Sequence, residues 1–151
     1  MQTFDTLPAV TVTRATNVDA PAIWQVLSDL AALPEWAPGI DGAEVTSAQK
    51  SGLGAVRRVD TAQFGPIEHH VTDWKPDARF AYETADSGPF SRTLTTYAVM
   101  AEDGGATVSV SLAFEVKPGA IEPDQAKAVL NKGLTATLQA LELRARMQHA
   151  A

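Results

Sequence analysis

A hydrophobic stripe at helical spacing runs along the carboxy-terminal part of this chain, and it constrains the fold more than any other feature. Glu122-Pro123-Asp124 supplies a helix start, and the pattern continues to about His149, roughly 26 residues or about 39 Å at 1.5 Å per residue. Leu130, Leu134, Leu138 and Leu141 form one ridge, with Ala126, Val129, Gly133, Thr137 and Ala140 beside it. Lys127, Lys132, Glu142 and Arg144 lie elsewhere on the helix. So wide a stripe on so long a helix needs a large apolar surface to cover.

That surface has to come from strands. Residues 9–17 alternate apolar and polar side chains and are rich in Val and Thr, the pattern of a half-buried strand. Asp19-Ala20-Pro21 then opens a short amphipathic helix carrying Ile23, Trp24, Val26, Leu27 and Leu30. Pro34 and Pro38 allow at most one further helical turn after it. From residue 40 to 118 the chain breaks repeatedly at Gly, Pro and Asp, leaving runs at 43–48, 55–63, 66–74, 79–84, 92–101 and 106–117. Short links imply an antiparallel meander. Asp103-Gly104-Gly105 is a hairpin turn, and the strand after it puts Val108, Val110, Leu112 and Phe114 on one face. The predicted architecture is α+β: strand, short helices, six strands, and a long helix gripped by the sheet.

Composition bounds the rest. At 151 residues, 45% hydrophobic and 20% charged, with no repeat or linker, the chain reads as one domain over residues 1–151. No stretch is apolar enough to insert stably in a membrane, the amino terminus lacks a signal pattern, and no cysteine is present, which together point to a cytoplasmic protein. A net charge of -6 with scattered basic residues argues against nucleic acid as a partner.

The order and spacing of these pieces resemble the START-like (SRPBCC) superfamily, the group of pollen-allergen-like and polyketide cyclase/dehydrase-like proteins. The first strand leading into Asp19-Ala20-Pro21, Ile23-Trp24 and Leu27-Ser28-Asp29 carries the resemblance, followed by Leu33-Pro34-Glu35-Trp36. So do Arg57-Arg58, Val71-Thr72-Asp73-Trp74-Lys75-Pro76, Arg79-Phe80-Ala81-Tyr82, and the final strand and helix. The resemblance spans essentially the whole chain. It implies a helix-grip fold, with a seven-stranded curved antiparallel sheet, two short helices closing one end, and the long helix enclosing a cavity for a small apolar molecule. It implies no single function, because the superfamily mixes carriers, receptors and enzymes.

His69 and His70 are adjacent on a strand and point to opposite faces, so they do not chelate one ion; neither a metal nor a cofactor is expected. Ile67 and Val71 share a face with His69, which turns it towards the cavity as a packed residue, a ligand anchor or a general base. Tyr82 shares its face with Phe80 and Thr84 and should also point in. For Arg57, on the side of Val59 and Thr61, the resemblance implies an inward position, where it must find a carboxylate such as Asp73 or Glu44, a carbonyl, or the oxyanion of an acidic ligand. Otherwise a bulge turns Arg58 inward instead.

Trp36, between two prolines, belongs either to the core or to the cavity rim, and the Gly88-Pro89-Phe90 loop is either a plain turn or part of the mouth. Gly133 costs about 1 kcal/mol against alanine and should return close helix–sheet approach or room for a ligand. The expected apolar lining is Val59, Val71 and Leu94 from the earlier strands, Val110, Leu112 and Phe114 from the last, and Leu130 and Leu134 from the helix. Thr96 and Thr137 add hydroxyls.

The leading expectation is therefore binding or carriage of a small hydrophobic or amphipathic molecule, such as a lipid, sterol-like compound or polyketide, by a monomer or homodimer. The alternative is a polyketide cyclase or dehydratase in which His69, Tyr82 or Arg57 moves protons or stabilises an enolate. A third is a protein-interaction module built on Trp36 and the long helix.

Overall fold

The computed structural model describes residues 3–150. Seven strands form one antiparallel sheet: β1 (Ala9–Thr16), β2 (Ile40–Val45), β3 (Val56–Thr61), β4 (Gly65–Lys75), β5 (Arg79–Ser87), β6 (Phe90–Glu102) and β7 (Gly105–Val116). Their spatial order is β1-β7-β6-β5-β4-β3-β2, so β2 to β7 meander and the first strand closes on the last. Between β1 and β2 lie α1 (Ala20–Ser28) and a 3-10 segment (Leu30–Glu35); after β7 comes α2 (Pro123–Ala150). This is the helix-grip architecture that the long stripe requires.

Local chemistry explains the boundaries. Asp19 caps α1 from an extended backbone, and Pro21 falls in the first turn, where its missing N–H costs nothing. The helix ends at Ser28, but the 3-10 segment runs six residues, one turn beyond the expectation. At three residues per turn it accommodates Pro34 because a short, loosely bonded segment loses only one donor. At the β6–β7 hairpin Gly104 adopts φ +79°, and a Cβ on Gly105 would come within 1.9 Å of the Thr16 carbonyl oxygen. Only glycine lets β7 begin against the end of β1.

α2 packs on β1, β7 and α1, burying Leu134, Leu138, Leu141 and Ala145, with Leu138 and Leu141 completely enclosed. Arg14 of β1 reaches Glu142 of α2 at 3.0 Å. Burial alone would raise the Glu142 pKa, yet hydrogen bonds from Thr16 and Arg14, with the charges of Arg14 and Arg146, hold it below the ordinary value. At the other end of the sheet, Trp24 of α1 meets Trp74 edge-on at 5.4 Å and Phe80 at 6.1 Å, and Phe80 stacks on Tyr97 at 5.6 Å. These aromatic rings anchor α1. Trp24 and Trp74 are thus core residues.

Three irregularities set which side chains face inward. Pairing shifts between Ile40 and Gly42, between Val71 and Asp73, and between Phe90 and Arg92. Each extra residue reverses the alternation beyond it. The second and third govern the candidate site.

Candidate functional site

The concave face of β3, β4 and β5 carries Arg57, His69 and Tyr82 side by side. Arg57 and His69 are direct register partners, and His69 lies diagonally across from Tyr82. The imidazole stacks on the phenol ring with centroids 3.9 Å apart and planes 10° from parallel. The Arg57 guanidinium sits 5.5 Å from the centre of the same ring. Arg57 is 3% exposed and His69 8%, while Arg58 and His70 point outward. The inward position of Arg57 is therefore met.

Its expected carboxylate partners are not. The bulge at Thr72 turns Thr72 and Asp73 to the outer face together, where Asp73 accepts a 2.7 Å hydrogen bond from Arg79. Glu44 pairs in register with Arg58, on the outer face, at 3.7 Å. Arg57 instead donates through Nη1 to the Leu30 carbonyl at 3.0 Å and through Nη2 to His69 Nδ1 at 2.8 Å, and its Nε has no partner among the described residues. The result is a buried guanidinium with no carboxylate in ion-pair range among the described residues.

Protonation states follow from this geometry. Arginine only donates, so Nδ1 of His69 must accept, and the imidazole proton resides on Nε2. Burial, then the charge of Arg57, then that of His70, hold the His69 pKa well below its ordinary value, and the ring is neutral at neutral pH. Burial lowers the pKa of Arg57, opposed by Tyr82 and Tyr97, without taking it from its cationic form. Burial raises Tyr82 against the opposing influence of Arg57 and a hydrogen bond with Thr95, and raises Tyr97 beyond any titration in the physiological range.

Around this trio the lining is only partly the expected one. Val59, Val71, Val110, Phe114 and Leu134 are buried inward residues. Leu112 and Tyr82 also lie on the concave face but keep accessible surface, although Val110 and Phe114 beside Leu112 have none. Leu94 and Thr96 were expected inside and are instead on the convex face, with Thr93, Thr95 and Tyr97 turned in. The bulge between Phe90 and Arg92 is the cause, since counting by twos from the buried Phe90 gives the wrong phase. Of the missed hydroxyls, Thr93 joins Thr84 in a 2.5 Å hydrogen bond and Thr95 bonds Tyr82. The signal for them was the spacing of Thr93, Thr95, Tyr97 and Val99.

On α2, Leu130 and Thr137 are half-buried at the edge of the stripe, and the Thr137 hydroxyl donates to the Gly133 carbonyl at 2.9 Å. Of the two returns expected of Gly133, close helix–sheet approach or room for a ligand, the first is not met. Gly133 lies on the exposed flank, and an added Cβ would meet nothing within 4 Å.

Of the depressions that border α2, two adjoin the residues expected at the cavity rim. One of about 200 Å³ is lined by Gln63, Phe64, Pro89, Phe90, Ile121, Ala126, Val129 and Leu130. There Phe64 packs directly over Gly88, so that its ring fills the place of a Cβ, and the φ of +56° at Gly88 also disfavours a side chain. The other, about 170 Å³, lies between Trp36 and Ala140, Leu143, Arg144 and Met147. Trp36 is half-buried against the core, and its buried Nε1 has no partner among the described residues. Arg57, His69 and Tyr82 line neither depression. Among the described residues no group of three or more His, Cys, Asp or Glu converges on a metal site.

The sequence profile of a family described as polyketide cyclase / dehydrase and lipid transport matches residues 8–146. The chain belongs to that family. No curated protein matches it by sequence. Solved structures share its fold at low identity. A START superfamily protein from Mycobacterium smegmatis is 20% identical with a TM-score of 0.80, over 93% of this chain and 98% of that one. The Zhui aromatase/cyclase from a Streptomyces species is 19% identical with a TM-score of 0.77, over 91% and 93%. The protein Ara h 8.0201 is 18% identical with a TM-score of 0.75, over 92% and 97%. These likenesses place the chain in the START-like fold.

Proposed function

We propose that this family member binds a small hydrophobic or amphipathic molecule between the concave face of the sheet and α2. The supporting observation is that Tyr82 and Leu112, in the middle of that face, keep accessible surface between neighbours that are buried. An inward residue in a close-packed core keeps almost no surface, so the exposure of these two supports an internal space beside them. α2 rests on β1 and β7, away from β3 to β5, which supports room on that side. The space would combine apolar walls with a few directional polar groups, the usual composition of a small-molecule site. The depression between Phe64 and Leu130 is the proposed entrance.

Cyclase or dehydratase chemistry is the second reading, favoured by a buried guanidinium suited to stabilising an enolate oxygen. Against it, the Nδ1 lone pair of His69 is engaged by Arg57 and is not free to take a proton in this arrangement. We further propose a cytoplasmic location, in keeping with the absence of cysteine, and a protein that acts without nucleic acid or membrane insertion, as a monomer or homodimer. Among the described residues no helix is long and apolar enough to cross a membrane.

The test is a titration with N-phenyl-1-naphthylamine, an uncharged dye that fluoresces in apolar surroundings. Saturable binding by the wild-type protein, lost in Leu112→Trp with unchanged circular dichroism, is the expected result. Undiminished binding by the variant would move the site elsewhere.

A further inference from the structure

We propose that the molecule bound in this space carries an anionic head, a carboxylate, received by the Nε2–H of His69 with the Arg57 charge directly behind it. This rests on the binding site proposed above and names the chemical class it selects.

Among the described residues the buried polar side chains are Arg57, His69, Thr84, Ser87, Thr93 and Thr95, and only Arg57 is charged at neutral pH. The carboxylates within sequence reach are committed elsewhere, Asp73 to Arg79 and Glu44 to Arg58. A buried cation without a counter-ion is costly, and an anion brought in by a ligand offsets that cost. An anionic ligand would therefore supply the counter-charge that the described interior lacks, and a neutral one would not.

Hydrogen bonding then gives the point of contact. The guanidinium itself is enclosed by the Leu30 carbonyl, the imidazole and the Tyr82 ring, which leaves little of its surface for a ligand. His69 passes its effect on. With Nδ1 accepting from Arg57, the ring presents a proton on the far side, at Nε2, and no described residue hydrogen-bonds to that nitrogen. Bonds in such a chain polarise one another, so the guanidinium strengthens Nε2–H as a donor. Stacking on Tyr82 holds the ring plane, and Tyr82 is one of the residues bordering the internal space. An alcohol would accept the same hydrogen bond without balancing the charge. An amine would be repelled.

The experiment displaces N-phenyl-1-naphthylamine with decanoate or with 1-decanol near neutral pH. The expected result is that decanoate displaces the dye at least about tenfold more effectively, the size of one charge-assisted hydrogen bond. In Arg57→Met the two competitors should become equivalent, and in His69→Phe, which keeps the charge but removes the donor, the preference should shrink. Equal displacement by acid and alcohol from the wild-type protein would overturn this inference and leave the hydrophobic site standing. A preference that survives in Arg57→Met would also overturn it. Failure of the dye and both competitors to bind would instead remove the site itself, and the wild-type comparison decides the matter even if a variant does not fold.

Discussion

Replacing Arg57 by methionine separates a functional arginine from a structural one. In the ligand-free protein the substitution removes two hydrogen bonds from a charged donor, to Leu30 and to His69, worth about 3–6 kcal/mol together. Against that, it relieves the desolvation of an unpaired buried cation, several kcal/mol, and buries an apolar side chain of similar length, about 1.5–3 kcal/mol. The two sides nearly cancel. Arg57→Met should therefore change unfolding free energy by no more than about 2 kcal/mol, read from the urea midpoint at unchanged m-value. Had Arg57 been the partner of a buried carboxylate, its loss would strand that charge and cost about 3–5 kcal/mol. A loss of that size would refute the view that the interior holds an uncompensated cation, and with it the reason for expecting an anion there.

Further predictions concern pH and packing. His69 has a folded-state pKa well below its unfolded value near 6.5, so below that pH the unfolded chain binds a proton that the folded chain refuses. Stability should fall as pH drops below about 6.5, by up to about 1.4 kcal/mol per pH unit from this group, and the slope should lessen in His69→Phe. Denaturant titrations across that range check it, and identical slopes would contradict the buried neutral imidazole. Gly133→Ala should stabilise the protein by about 0.5–1 kcal/mol, because its Cβ meets nothing and helix propensity alone decides. Gly105→Ala should instead destabilise by about 1–3 kcal/mol or more, since the obstacle is the Thr16 carbonyl rather than a flexible side chain; thermal melts of the two variants should move in opposite directions.

The sequence carried the architecture far better than it carried the site. Alternation along β7 and the leucine ridge of α2 are long-range repeats, and repeats of that length leave one solution, a sheet covered by its last helix. His69 was readable as inward because Ile67 and Val71 flank it on the same face, whereas alternation alone left Arg57 and Arg58 open and only the resemblance turned Arg57 in; the unbroken register of β3 with β4 puts both inside. Asp73 was not readable, because one extra residue at Thr72 turned it to Arg79, and no residue type there announces a bulge. The same happened at Ser91, which exchanged Leu94 and Thr96 for Thr93, Thr95 and Tyr97. The packing of Phe64 over Gly88 joins two turns distant in sequence, and no local pattern encodes such a contact. A bulge changes the phase of a face while leaving composition and propensity untouched, so the strands were legible and their inward faces were not.

A crystal structure of the protein with decanoate, examined between β4, β5 and α2, tests the central claim most directly. Density lying over Tyr82 and Leu112, with its polar end within hydrogen-bonding distance of His69 Nε2, is the predicted result. An interior in which Tyr82 and Leu112 are closed off by neighbouring side chains, with decanoate absent or confined to the surface, would contradict it.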